Sequence, residues 1–204
     1  IENAPNLRWG RNKVEFAKLL SKAMNGLPVA LTNDANAAAV GEMTYGAARG
    51  MKNFIMITLG TGVGSGIVIN GEVVYGHDGF AGELGHTAAV RTNGRACGCG
   101  KSGCLEAYTS ATGVARTARE WLELTDEPSV LRSLDTIASK DVYDAAKDGD
   151  PLALKIFDFT GKILGRSFAD FIAFSAPEAI VLFGGLARAK EFLLAPMEEA
   201  MNAN

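Results

Sequence analysis

Within residues 97–104, Cys97, Cys99 and Cys104 alternate with Gly98, Gly100 and Gly103, and His86 stands a short way upstream. A segment so poor in apolar side chains and so rich in glycine has no core of its own in which to bury three thiols. A zinc ion supplies what the segment lacks, because three thiolates and one imidazole are one of its usual tetrahedral structural sets. The spacing therefore predicts a structural zinc loop held by His86, Cys97, Cys99 and Cys104, with four protein ligands and no open position for water. The competing reading, three buried thiols, needs apolar neighbours that Gly98, Gly100, Lys101 and Gly103 do not provide. All three cysteines of the chain are used, so none remains for a disulfide, and clustered cysteines of this kind suit a reducing cytoplasm. Glu83 lies three residues before the histidine and Glu106 two after the last cysteine. A metal that folds this loop also positions two carboxylates.

The rest of the composition narrows the partners. The 204 residues are 48% hydrophobic with a formal net charge of −3, which suits one large globular domain, or one plus a fragment. Lysine and arginine are scattered without a basic stripe, so no nucleic acid is expected as a partner. The most apolar stretch, from Phe168 to Leu186, is interrupted by Asp170, Pro177 and Glu178, so no unbroken apolar run approaches the roughly 20 residues that cross a bilayer and no membrane is expected either. The chain opens at Ile1 in a polar, extended-looking segment from Glu2 to Arg11, and it reads as a piece of something longer.

Periodicity orders the elements as an α/β chain. Lys13 to Asn25 carries apolar residues at helical spacing, and Pro28 to Leu31 reads as a short buried strand. Ala35 to Tyr45 is an alanine-rich helix capped by the pair Asn33-Asp34, which places two polar side chains where a strand meets a helix. Asn53 to Leu59 is a buried strand, followed by a glycine loop from Gly60 to Gly66. The strand resumes at Ile67 to Ile69, and Asn70-Gly71 turns a hairpin into Glu72 to Tyr75. Leu105 to Leu124 is helical in pattern, and Pro128 to Asp150 holds two short helices. Asp150-Pro151 starts a central helix running to Ser175 that is apolar nearly all round, and Ala179 to Phe183 is a buried strand ending in Gly184-Gly185. A further helix contains Ala187 to Leu194 and continues past Pro196.

Several of these residues carry possible chemistry. The backbone amides of Gly60, Thr61, Gly62 and Gly64 can converge on phosphate oxygens, with the hydroxyls of Thr61 and Ser65 as further donors; a plain bend between paired strands is the alternative. Strands on both sides of the loop argue against a dinucleotide fold, and no Gly-Lys-Ser/Thr follows to make a Walker loop. Gly184-Gly185 either lets a ligand lie against bare backbone or merely ends a strand. Asp34 is either a general base toward an attacking hydroxyl or the cap of its own helix. Asn33 would hold a neighbouring hydroxyl. Glu83, His86 and Glu106 form a set of acceptors suited to the hydroxyls of one sugar, since each buried hydroxyl left unpaired is costly. His86 would serve twice, one ring nitrogen on zinc and the other on the ligand. His77, in a polar turn, reads as solvated.

In this order, Asn33-Asp34-Ala35-Asn36, Thr58-Leu59-Gly60-Thr61-Gly62-Val63-Gly64, Gly82-Glu83-Leu84-Gly85-His86 and the run from Cys97 to Glu106 resemble the ROK family of sugar kinases and sugar-responsive repressors. The continuation Ala107 to Gly113 is similar to the bacterial glucokinases within it. The resemblance implies an actin-like ATPase (ribonuclease H-like) fold with sugar and ATP between two lobes, and an inserted structural zinc loop. It implies Asp34 as catalytic base toward the sugar 6-hydroxyl, and Asn33, Glu83, His86 and Glu106 as sugar ligands. Gly60, Thr61, Gly62 and Gly64 would contact the phosphates of ATP, carried with Mg2+, and Gly184 and Gly185 its adenosine part. The hexose is expected to be glucose and the assembly a homodimer.

By the same resemblance, residues 1–32 end the preceding lobe and lead in, residues 33–204 form the large lobe, and an amino-terminal small lobe and carboxyl-terminal helices are absent. Kinases of this family carry an Asp-x-Gly-Gly-Thr phosphate loop, and this sequence contains none. The isolated chain is accordingly expected to turn over little ATP. The rival readings are a sugar-sensing transcriptional repressor of the same family and a zinc-stabilised interaction module, and the latter leaves Asn33, Asp34 and the two glutamates without a role.

Overall fold

A computed structural model describes residues 13–204, and the expectation for Glu2 to Arg11 lies outside them. The chain divides into two compact units, residues 1–33 and 34–204. In the first, α1 (Phe16–Ala23) forms inside the expected helical stretch and stops where Asn25 and Gly26 turn left-handed. Residues 28–31 form no strand; Pro28, Ala30 and Leu31 are exposed. A short apolar run becomes a strand only through a ladder partner, which its own residues do not specify, and Pro28 has no N–H to offer one.

The second unit contains α2 (Asp34–Tyr45), β1 (Phe54–Leu59), β2 (Val63–Ile69), β3 (Glu72–Val73), α3 (Glu106–Thr109), α4 (Ala111–Leu124), α5 (Ser139–Lys147), α6 (Pro151–Ser175), β4 (Ala179–Phe183) and α7 (Lys190–Asn202). The four strands form one mixed sheet in the order β3-β2-β1-β4, antiparallel except for the parallel pair β1 and β4. Asn70 and Gly71 both take positive φ, as a tight hairpin turn requires, and join β2 to a β3 shorter than expected.

Strand alternation divides the core in two. Phe54, Met56 and Val68 face Ala39 and Ala48, whereas Ile55, Ile57, Leu59 and Val63 join a larger core with Leu152, Ile156, Phe157 and Phe168 of α6. The expected glycine loop is therefore shorter than its glycines suggest, because β2 begins at Val63. Gly64 and Gly66 point their missing side chains at α2. A Cβ on Gly66 would stand 3.0 Å from Ala39 Cβ, and one on Gly64 3.1 Å from Ala35 Cβ. Glycines on the strand and alanines on the helix let the two backbones approach.

The single helix expected over 105–124 is broken at Ser110, whose Oγ accepts from Gly113 N–H at 3.0 Å and caps α4. β4 forms as expected but is an edge strand, only half-buried, with Phe183 52% exposed. α6 is buried along most of its length and emerges at its last turn, where Phe174 is exposed. Pro196 lies inside α7, which packs on α6 closely enough that a Cβ on Gly161 would meet Pro196 Cγ at 2.7 Å. Among the described residues no helix is long and apolar enough to cross a membrane.

Asp150 caps α6 and ties it to the segment before α5. Its Oδ1 accepts from Ala153 N–H at 3.0 Å and its Oδ2 from Val130 N–H at 2.8 Å, with the side chain buried. Burial opposes the charge, but these amides and the Ser129 hydroxyl outweigh it and hold the carboxyl below its ordinary value. A carboxyl depressed in the folded state contributes stability that is complete above the unfolded pKa of about 4 and is lost as pH falls through the lower folded value. Asp150→Ala is therefore expected to cost about 1–2 kcal/mol in urea unfolding at pH 7. The gap to wild type should narrow below pH of about 4; an equal gap at both pH values would refute the assignment.

Candidate functional site

The site is built around the first three residues of β2. Val63 N–H donates to Glu106 Oε2 at 2.9 Å, which brings in α3. Gly85 lies so close to Val63 that a Cβ would be 2.2 Å from the Val63 carbonyl oxygen, which brings in the short 3-10 helix Leu84–His86. Gly64 packs on Ala35, the residue after Asp34. Ser65 donates its hydroxyl to the Gly82 carbonyl and accepts from Leu84 N–H at 3.0 Å, bracketing Glu83. One strand end thus gathers the elements that carry Asp34, Glu83, His86 and Glu106.

Ser65 departs from what the sequence led one to expect. The pleat turns it away from the glycine turn, and its buried hydroxyl is spent on the backbone around Glu83, so it is no phosphate donor. Gly64 likewise sits in the strand, its N–H donating to Thr58 Oγ1 at 3.1 Å. Asp34 is exposed at the start of α2, where its Oδ1 accepts from Ala35 N–H at 2.9 Å. Asn33 ends the preceding unit and is exposed.

Residues 60–62 form a bare turn between β1 and β2. Gly60 N–H donates to Gly62 O at 3.0 Å, Gly60 O accepts from Ala111 N–H at 2.8 Å, and Thr61 O accepts from Thr112 Oγ1 at 2.8 Å. The amides of Thr61 and Gly62 have no partner among the described residues. Two unengaged N–H groups on a clamped turn are what an anion needs. On one side of the turn lies a cavity of about 480 Å³ bordered by Gly60, Thr61, Lys140, Tyr143 and Gly185. Gly185 has open space where a side chain would be. Gly184 instead takes a positive φ against β1, where a Cβ would be 2.5 Å from the Leu59 carbonyl oxygen.

The four expected metal ligands come together. The donor atoms of His86, Cys97, Cys99 and Cys104 all lie within 4.8 Å of one another, with His86 Nδ1 3.7 Å from Cys97 Sγ and Cys99 Sγ 3.6 Å from Cys104 Sγ. Zn–S bonds of about 2.3 Å in a tetrahedron put sulfurs about 3.8 Å apart, so the donor set and its spacing fit zinc. Burial, then the neighbouring Cys99 and Cys97, push the Cys104 thiol up to about 12, whereas a backbone hydrogen bond from Lys101 lowers that of Cys99. Such a cluster without a cation resists holding three thiolates.

Arg95 is a residue that sequence reasoning missed. Its N–H donates to Tyr108 Oη at 2.7 Å, and its guanidinium reaches Thr117 Oγ1 at 2.8 Å and Glu120 at 2.6 Å while lying 4.7 Å from the centre of the Tyr108 ring. It fastens the cysteine loop to α4. A lone arginine two residues before a cysteine carries no pattern that announces this. Lys140 and Tyr143 were missed for the same reason, since they reach the cavity from a separate helix.

Comparison with known proteins matches the whole of residues 1–204 to the ROK family model. The chain belongs to the ROK family. It is 44% identical over 180 residues to a glucokinase of Halalkalibacterium halodurans, covering 87% of this chain and 54% of that protein. The crystal structure of a ROK family glucokinase from Streptomyces griseus, in complex with glucose and AMPPNP, superposes with a TM-score of 0.84 at 35% identity, over 98% of this chain and 65% of that one. A ROK family transcriptional regulator, a homologue of the E. coli MLC protein, superposes with a TM-score of 0.82 at 34% identity, over 92% of this chain and 46% of the other. The ROK chain described here thus spans roughly half to two thirds of the length of these relatives.

Proposed function

We propose that the chain is the sugar-, zinc- and nucleotide-bearing part of an ATP-dependent hexose kinase that phosphorylates the 6-hydroxyl, with glucose favoured. The observation that carries this reading is the gathering of Asp34, Glu83, His86 and Glu106 by one strand end, beside a turn with two unengaged amides. Phosphoryl transfer to an alcohol requires little covalent chemistry from a protein. It requires a carboxylate near the attacking hydroxyl, fixed donors on the phosphates, and a rigid acceptor set for the rest of the sugar. Asp34 is the base; Asn33, Glu83, His86 and Glu106 hold the sugar; Gly60, Thr61, Gly62 and Gly185 border the nucleotide with its Mg2+. Gly64 and Gly184 serve this arrangement as packing positions, without which α2 and the end of β4 would stand off the turn.

Zinc, held by His86, Cys97, Cys99 and Cys104, acts structurally by fixing the loop that ends in Glu106. We place the protein in the cytoplasm, where such thiols stay reduced, as a homodimer of an actin-like fold. Residues 1–32 lead out of a preceding lobe and 33–204 form the large lobe. A repressor is the second reading, favoured by the likeness to the MLC homologue. A thermal-shift panel of hexoses, with and without AMPPNP and Mg2+, separates them. The kinase reading expects stabilisation by glucose above other hexoses and by AMPPNP on its own; sugar binding without nucleotide binding favours the repressor.

A further inference from the structure

One carboxylate touches both halves of the site. Glu106 opens α3 two residues after Cys104; its Oε2 accepts from Val63 N–H at 2.9 Å, and its Oε1 lies 3.8 Å from Cys97 Sγ. The segment that follows grips the glycine turn twice more, through Ala111 N–H to Gly60 O and Thr112 Oγ1 to Thr61 O. These three bonds fix two carbonyls and one amide of residues 60–63 and leave the amides of Thr61 and Gly62 as the unengaged donors.

Gly62 supplies an independent sign. Its φ lies outside the left-handed region, so its backbone conformation does not demand glycine. The carboxylate position does depend on it: a Cβ on Gly62 would stand 2.3 Å from Glu106 Oε2, and the side chain would have to swing away. The missing side chain is what lets the carboxylate reach Val63. Glu106 also borders, with Thr61 and Cys97, a cavity of about 260 Å³, so its carboxylate faces open space beside the turn.

We propose that Glu106 is a positioning residue for the phosphate turn as well as a sugar ligand, so that nucleotide affinity depends on this carboxylate even with no sugar bound. The inference rests on the kinase reading above and adds a second role to a residue of that site. One oxygen holds the turn in register while the other is open to a hydroxyl, so the sugar side and the nucleotide side share a single side chain. Loss of that side chain frees Val63 N–H and lets the two phosphate-facing amides drift.

The test is calorimetric titration of AMPPNP with Mg2+, without sugar, into the full-length, zinc-loaded protein. Glu106→Ala is expected to weaken binding about tenfold, the upper end for one ordinary intramolecular hydrogen bond. Glu106→Gln keeps an acceptor for Val63 N–H and is expected to stay within about twofold of wild type. Gly62→Ala displaces the carboxylate and should also cost about tenfold, but nothing further in the Glu106→Ala background, because both changes break one contact. Amide exchange at Val63 should accelerate in Glu106→Ala and not in Glu106→Gln.

Wild-type affinity in Glu106→Ala overturns the inference, as does a Gly62→Ala cost that is the same in both backgrounds. If Glu106→Ala fails to fold, the comparison of Gly62→Ala with Glu106→Gln carries the decision: equal affinities in the two overturn it. A wild-type protein that binds no AMPPNP removes the kinase reading itself, whereas nucleotide binding indifferent to Glu106 removes only this inference.

Discussion

Asp34→Asn is expected to lower the turnover of glucose by about a thousandfold while glucose affinity and the melting temperature stay close to wild type. The substitution is chosen because Asp34 has two possible roles. As a helix residue it accepts from Ala35 N–H, and the asparagine amide oxygen can accept the same bond. The loss of charge at the start of α2 costs only about 0.3–1 kcal/mol. As a base it must take a proton from the attacking hydroxyl, which asparagine cannot do. A capping role therefore predicts a small change in stability and none in turnover, and catalysis predicts the reverse. Steady-state kinetics of the full-length protein, read beside calorimetric glucose binding and thermal melting, distinguish the two. Turnover within a few-fold of wild type would remove Asp34 from the mechanism.

Removal of zinc is the second large effect. Residues 86–104 contain no helix beyond the turn at Leu84–His86 and no strand, and are tied by backbone bonds such as Val90 N–H to Gly103 O and Gly103 N–H to Arg95 O, the bridges Ala88↔Cys104 and Ala96↔Ser102, the Arg95 anchor and the four converging donors. Only Ala89 and Val90 of this segment pack against the main core, most of which is built on α6 and the sheet. Loss of the ion leaves three thiols, with Cys104 pushed up to about 12, and nothing to draw their sulfurs together. Cys104→Ser, or chelation at neutral pH, should thus unfasten the loop and with it Glu83 and Glu106, while the sheet and α6 persist. Changes in the outer shell of metal sites alone cost on the order of 10–100-fold, and loss of a ligand should weaken glucose binding by at least that much. Elemental analysis should read one zinc per chain before chelation and none after, with far-ultraviolet circular dichroism largely retained. Chelated, metal-free protein that binds glucose at wild-type affinity would end the structural role of zinc.

Much of this was legible in the sequence, and the reasons are local. The hairpin at Asn70-Gly71 follows from two residues that tolerate positive φ, and the start of α6 from an acidic cap followed by proline. The convergence of His86, Cys97, Cys99 and Cys104 was legible because metal chemistry restricts residue type and spacing together. The expectations that failed were those that needed a partner. Residues 28–31 have strand-like composition and no strand, since a ladder depends on what lies alongside. Ser65 looked like part of a phosphate loop because glycines surround it, but strand pleating, visible only once β2 pairs with β1 from Val63 onward, turned its hydroxyl to Gly82 and Leu84.

The identities of Asp34, Glu83, His86, Glu106 and the cysteines, and hence the family, were set by the order of residues, because each motif is short and its chemistry depends on type and spacing. Which of them share a strand end, that Glu106 props the glycine turn, and that Arg95 pins the cysteine loop were decided by tertiary structure. Those relations join positions far apart in sequence through a few hydrogen bonds and close backbone approaches, and contacts of that kind leave no periodic trace along the chain.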